Sequence, residues 1–65
     1  MNEKSLSSGD VVTATVTKSL PFGVLVEYEN VPGLAKGVTG EPGAELELRV
    51  LEFDAAQRQF SAELA

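Results

Sequence analysis

The chain has 65 residues, room for one small domain, and 43% of them are hydrophobic, which excludes disorder along its whole length. It holds no His, Cys or Trp, which excludes disulfide scaffolds, thiol nucleophiles, Cys/His zinc sites and a histidine general base. Ten acidic residues against five basic ones leave a net charge of −5, a balance that repels phosphate backbones and anionic membranes and favours a protein partner.

Residues 1–8 are polar, with Leu6 the one large apolar side chain beyond Met1, and read as a flexible N-terminal arm. The start Met1-Asn2-Glu3-Lys4 is not a signal peptide and no apolar run is long enough to span a bilayer, so a cytoplasmic location is expected. From Val11 the chain alternates, Val12, Ala14 and Val16 on one face and Thr13, Thr15 and Thr17 on the other, which predicts a strand ended by Ser19-Leu20-Pro21. A second strand carries Val24, Val26 and Tyr28 on one side and Leu25 and Glu27 on the other. Asn30-Val31-Pro32-Gly33 reads as a turn, leaving Leu34 to Lys36 for a short third strand. Gly37, Gly40, Pro42 and Gly43 punctuate a loop. Glu45 to Phe53 alternates again, with Leu46, Leu48 and Val50 inward and Glu45, Glu47 and Arg49 outward. Asp54-Ala55-Ala56-Gln57 turns the chain. Arg58 to Leu64 returns as a last strand with Phe60 buried, in preference to a short helix over 55–65, which would be marginal without a cap.

Five short strands with Gly/Pro turns and no long helix predict an all-β fold, a small closed or nearly closed barrel. Closure removes the exposed edges that would recruit other strands. An SH3-like barrel fits this periodicity nearly as well.

The order of particular residues narrows the choice. Gly9-Asp10-Val11-Val12, Val16-Thr17-Lys18 and Phe22-Gly23-Val24-Leu25-Val26 resemble the opening of the S1 RNA-binding domain. Pro32-Gly33-Leu34 is similar to that family's start of strand three, Gly43 to Asp54 to its fourth strand, and Arg58-Gln59-Phe60-Ser61 to its closing strand. The resemblance covers roughly residues 9–63 and implies a five-stranded OB-fold barrel over 9–65. It also implies single-stranded RNA as partner, bound by bases stacking on aromatic rings of strands two and three while Lys and Arg follow the phosphates. On that pattern the first aromatic position is Phe22, the second holds Leu25, and a family His is replaced by Lys36. Lys18, Arg49 and Arg58 match places where basic residues are common. The loop between strands three and four is shorter than the family's, the closing Leu-Ser becomes Ala62-Glu63, and Ser19 replaces an apolar residue.

Each of these residues also has a plainer reading. Phe22 beside Pro21 could cap the barrel, and one exposed leucine at Leu25 needs no explanation. Lys18, Lys36, Arg49 and Arg58 could be solubilising charges paired with Glu27, Glu47 and Glu52, worth a fraction of a kcal/mol each. The acidic balance and the lost aromatics support an alternative function: a protein-interaction barrel docking on a basic ribosomal or RNA-processing protein, or an acidic imitation of nucleic acid. The position of Glu27, Glu47 and Glu63 relative to Phe22 separates these readings. Enzyme chemistry is not expected, because a barrel this small offers little pocket in which to tune a carboxylate pair. No cofactor or metal is expected either. Glu41, Glu45 and Glu47 lack the ligand spacing of a calcium loop, and Gly37-Val38-Thr39-Gly40 lacks the Gly-Lys-Ser/Thr of a phosphate loop. A monomer in translation or RNA metabolism is the resulting expectation.

Overall fold

The computed structural model describes residues 6–65, which form five strands and no helix. Strand β1 is Val11–Leu20, β2 Gly23–Tyr28, β3 Val31–Lys36, β4 Glu45–Asp54 and β5 Gln59–Leu64. They hydrogen-bond in the order β1-β2-β3-β5-β4 and close into a barrel, with β3 and β5 parallel and every other pair antiparallel. This is the OB barrel rather than an SH3-like one.

Alternation delivers the core. Val12, Ala14 and Val16 of β1, Val24 and Val26 of β2, Ala35 of β3, Leu48 and Val50 of β4, and Phe60 and Ala62 of β5 are all buried. The last pair settles the C-terminal segment as a strand, because two apolar residues at period two reach the interior only from extended backbone. β5 pairs with β3 on one side and β4 on the other, so its backbone groups are used in the sheet.

Three sequence expectations need correction. β1 continues to Leu20, and the break falls at Pro21 alone. The β2–β3 turn is Glu29-Asn30 rather than Asn30 to Gly33. Both residues lie at positive φ (50° and 68°), and Tyr28 pairs directly with Val31 across them, as in a two-residue hairpin of type I′. Pro32 and Gly33 therefore sit inside β3. Pro32, which cannot donate to a ladder, stands just before the β3–β5 pairing begins at Gly33. The third correction is Val38, which lies within the Gly/Pro-punctuated loop but is 5% exposed and joins the core. It plugs the end of the barrel from the β3–β4 loop, in which Gly40 stands close to Val16 and Leu46.

Of the N-terminal segment, Leu6 is half-buried against the core and the Ser7 amide donates to Asp10 Oδ2 at 3.0 Å. Residues 1–5, on which most of the expected arm falls, lie outside the described residues.

Candidate nucleic-acid interface

Strict alternation would hide two residues that the structure turns outward. In β1 the even-numbered residues from Val12 to Val16 point inward, so Lys18 would follow them. A bulge between Val16 and Lys18 shifts the register by one, and Lys18 emerges paired with Leu25 on the outer face. In β4 the inward residues are Leu48 and Val50, so Glu52 would be next. A second bulge, between Val50 and Glu52, leaves Leu51 exposed, turns Glu52 and Asp54 outward and lets Phe53 pack on the core. Each bulge is stitched by a hydroxyl that donates to a carbonyl: Thr17 Oγ1 to Leu25 O at 3.2 Å, and Ser8 Oγ to Leu51 O at 2.9 Å.

The register then builds one continuous outer row across all five strands. Lys18 pairs with Leu25, Leu25 with Leu34, Leu34 with Ser61, and Ser61 with Glu52. The row has a cation at one end, two half-buried leucines and a serine in the middle, and a carboxylate at the other end. Leu34 was missed by the sequence reading. Its signal was available, since Ala35 inside and Leu34 outside is the same parity as Val24 inside and Leu25 outside.

Phe22 lies in the β1–β2 turn and is 59% exposed, so it does not cap the core. Its carbonyl accepts the Gly37 amide at 2.8 Å, and Gly37 takes a positive φ of 74° to turn the chain there. That bond fastens the Phe22 turn to the end of β3, next to exposed Lys36, which itself pairs with Gly23. Lys36, Leu25 and Lys18 thus share the outer face of the β1–β2–β3 ladder, and exposed Phe22 lies in the turn at its end.

Arg49 and Arg58 are not part of that cluster. Arg49 pairs laterally with Val11 and Glu63, and its Nη1 lies 3.4 Å from Glu63 Oε2. Both side chains are 48% exposed, so the ion pair contributes little to stability. Val11 stands seven residues before Lys18, about 20 Å along the strand. Arg58 occupies the β4–β5 turn at a φ of 56°, next to Gln59. In the same turn Asp54 Oδ1 accepts the Ala56 and Gln57 amides at 3.0 and 3.1 Å.

A groove of about 390 Å³ runs over β3 and β5 on this outer face. Leu25, Pro32, Gly33, Leu34 and the ring of Phe60 form its floor, while Glu52, Asp54, Gln59 and Ser61 form the far wall. No Lys or Arg lines it. The three acids weighed from the sequence do not ring Phe22. Glu27 pairs with Thr15 and Pro32 at the other end of β2, Glu47 with Thr13, and Glu63 with Arg49. Glu27 shares the outer face with Leu25 and pairs with Pro32 of the groove floor, while Glu52 and Asp54, brought there by the β4 bulge, line the groove itself. Among the described residues no group of three or more His, Cys, Asp or Glu is placed to hold a metal ion.

Comparison with solved structures identifies the same barrel elsewhere. The chain superposes on MJ1198 of Methanocaldococcus jannaschii with a TM-score of 0.82 at 15% identity, covering 95% of this chain and 96% of that one. It matches GSP13 of Bacillus subtilis with a TM-score of 0.81 at 23% identity, over 92% of this chain and 56% of that one. A chain of the Pyrococcus horikoshii a/eIF2alpha–aDim2p–rRNA complex matches with a TM-score of 0.80 at 16% identity, over 94% of this chain and 45% of that one. The fold is shared; these identities carry no more than that. Against a multidomain Streptococcus pneumoniae protein described as having nucleic acid binding domains, the TM-score is 0.76 at 20% identity, and this chain spans only 22% of it. No protein-family model and no curated protein sequence matches the chain.

Proposed function

We propose that this barrel is a non-catalytic RNA-binding module of S1 type that binds single-stranded RNA weakly over the outer face of β1, β2 and β3. Phe22 provides a ring for base stacking, Leu25 and Leu34 provide apolar contact, and Lys18 and Lys36 provide charge for phosphates. The observation that carries the reading is an exposed Phe22, its turn tied by its carbonyl to Gly37 next to Lys36, at the end of the strands that carry the Lys18–Leu25–Leu34 row. Two neighbours with this fold add support, one described as carrying nucleic acid binding domains and one belonging to a complex that contains rRNA. A single ring contributes about 1–3 kcal/mol and two lysines add a salt-sensitive term, so the affinity is low. Arg58, beyond the Gln59 end of the groove, reaches only a strand long enough to cross it, and Arg49 takes no part while it faces Glu63. A monomeric module in cytoplasmic translation or RNA metabolism completes the proposal.

Fluorescence anisotropy with a labelled oligouridine at low salt tests it. Phe22→Ala weakens binding about 5- to 150-fold if the ring stacks on a base. Equal affinity of the folded variant and the parent removes Phe22 from the site.

One observation favours a second reading, a docking site for a basic ribosomal or RNA-processing protein. The groove is lined by Glu52 and Asp54 and by no cation, a pattern complementary to Lys or Arg side chains. A Lys-rich peptide that binds at low salt while oligonucleotides do not would select this reading over the first.

A further inference from the structure

The groove has a charge pattern that phosphate binding alone does not call for. Its carboxylates, Glu52 and Asp54, form one wall on β4, while Lys18 and Lys36 lie outside it, as register partners of Leu25 and Gly23 on the β1–β2–β3 side. Beside that wall lies an apolar floor of Leu25, Leu34 and Gly33 over the Phe60 ring. Resting on the RNA-binding reading, the lining orients a base: its face across the leucines, its edge toward the acids.

Carboxylates only accept hydrogen bonds, so that wall selects for bases that present donors. Asp54 has Oδ1 committed to the Ala56 and Gln57 amides. Glu52 makes no side-chain hydrogen bond or ion pair among the described residues, and it ends the row that runs through Leu25, Leu34 and Ser61. A free carboxylate is best matched by two parallel N–H donors. Guanine offers that pair on its Watson–Crick edge, N1–H beside the N2 amine. Adenine and cytosine each set one amine beside an acceptor nitrogen, and uracil flanks its one N–H with two carbonyl oxygens that a carboxylate repels.

We propose that the groove is a base-specificity pocket in which Glu52 accepts the N1–H and N2 amine of guanine, so that the module discriminates guanine from uracil. Glu52 is the specificity-determining residue, and the bulge before it in β4 is the device that turns it to the outer face.

The test compares labelled five-nucleotide RNAs, all uridine or with one central guanosine, inosine or adenosine, on the parent chain and on Glu52→Gln. The guanosine oligomer binds about fivefold or more tightly than oligouridine, and inosine, which lacks the N2 amine, falls between them. In Glu52→Gln the guanosine-to-uridine ratio drops toward one while oligouridine binds as well as before or better, because a negative charge has left the groove. Asp54→Asn, with its turn hydrogen bonds conserved at Oδ1, leaves the ratio in place. Measurable binding with equal affinity for guanosine and uridine overturns this inference and leaves the RNA-binding reading standing, as does a guanosine preference that survives Glu52→Gln. No binding of any oligomer, together with capture of a Lys-rich peptide that Glu52→Gln weakens, overturns both.

Discussion

Gly33 lies flat against the ring of Phe60: a Cβ built at position 33 would come within 2.5 Å of the ring Cζ. The two residues are register partners in the parallel β3–β5 pairing, and Phe60 is only 3% exposed. The contact therefore does two things. It lets one large ring fill the interior of a barrel otherwise built from Val, Ala and Leu, and it brings the β3 backbone low enough to make the floor of the groove.

Gly33→Ala forces that ring to move inside a closed core. The expected cost is about 1–3 kcal/mol, a large share of the stability of a 65-residue domain. Urea unfolding followed by circular dichroism reads it directly. An unchanged midpoint would mean that the ring has free space to move into.

Val38 and Leu51 make a paired comparison that local composition would misjudge. Val38 sits in a polar, Gly-punctuated loop yet is buried, whereas Leu51 sits inside a strand yet is 46% exposed in the bulge. Val38→Ala opens the end of the barrel and lowers stability by about 1–3 kcal/mol, while Leu51→Ala stays within about 0.5 kcal/mol of the parent. Reversal of that order in thermal or urea unfolding would contradict the assignment of Val38 as the plug.

Glu29 and Asn30 hold the β2–β3 hairpin at positive φ, where Asn-Gly is the preferred pair. Replacing them with Asn-Gly relieves the left-handed strain, chiefly at Glu29, and raises stability by about 1 kcal/mol. Since Asn30 already tolerates this conformation, Glu29→Asn alone gives most of the gain. A loss of stability in both variants would argue against a two-residue turn at these positions.

Binding governed by Lys18 and Lys36 has a shallow salt dependence, because few phosphates are neutralised. For two or three contacts to a single strand, a plot of log affinity against log salt falls with a slope of roughly −1.4 to −2. Lys18→Ala flattens that slope by about 0.7, and Arg49→Ala, which removes a residue facing Glu63 on another part of the barrel, leaves it in place. Equal effects of the two substitutions would move the phosphate path away from β1 and β2.

The inward faces of β1, β2, β4 and β5 were legible because Val12-Ala14-Val16, Val24-Val26, Leu48-Val50 and Phe60-Ala62 each repeat at the period of a strand. Pro32 and Gly33 misled, since the same dipeptide that marks a turn is also what lets β3 pass over the Phe60 ring. The bulges were not legible. Nothing in Val16-Thr17-Lys18 or Val50-Leu51-Glu52 announces an extra residue, and a one-residue shift reverses which side chains meet solvent. Lys18 was nevertheless assigned to the site through the S1 resemblance, while Glu52, which no such pattern singles out, was seen only as a pairing charge. Leu34 was recoverable from parity with Ala35, but the misplaced turn shortened β3 and hid the pairing with Leu25.

A two-dimensional NMR titration of the isotope-labelled chain with a short single-stranded RNA at low salt tests the central claim most directly. The account predicts shifts concentrated at Lys18, Phe22, Gly23, Leu25, Leu34 and Lys36, fading as salt is raised, with the Val11, Arg49 and Glu63 amides unmoved. Shifts confined to the Arg49–Glu63 side, or none at millimolar RNA, would contradict it.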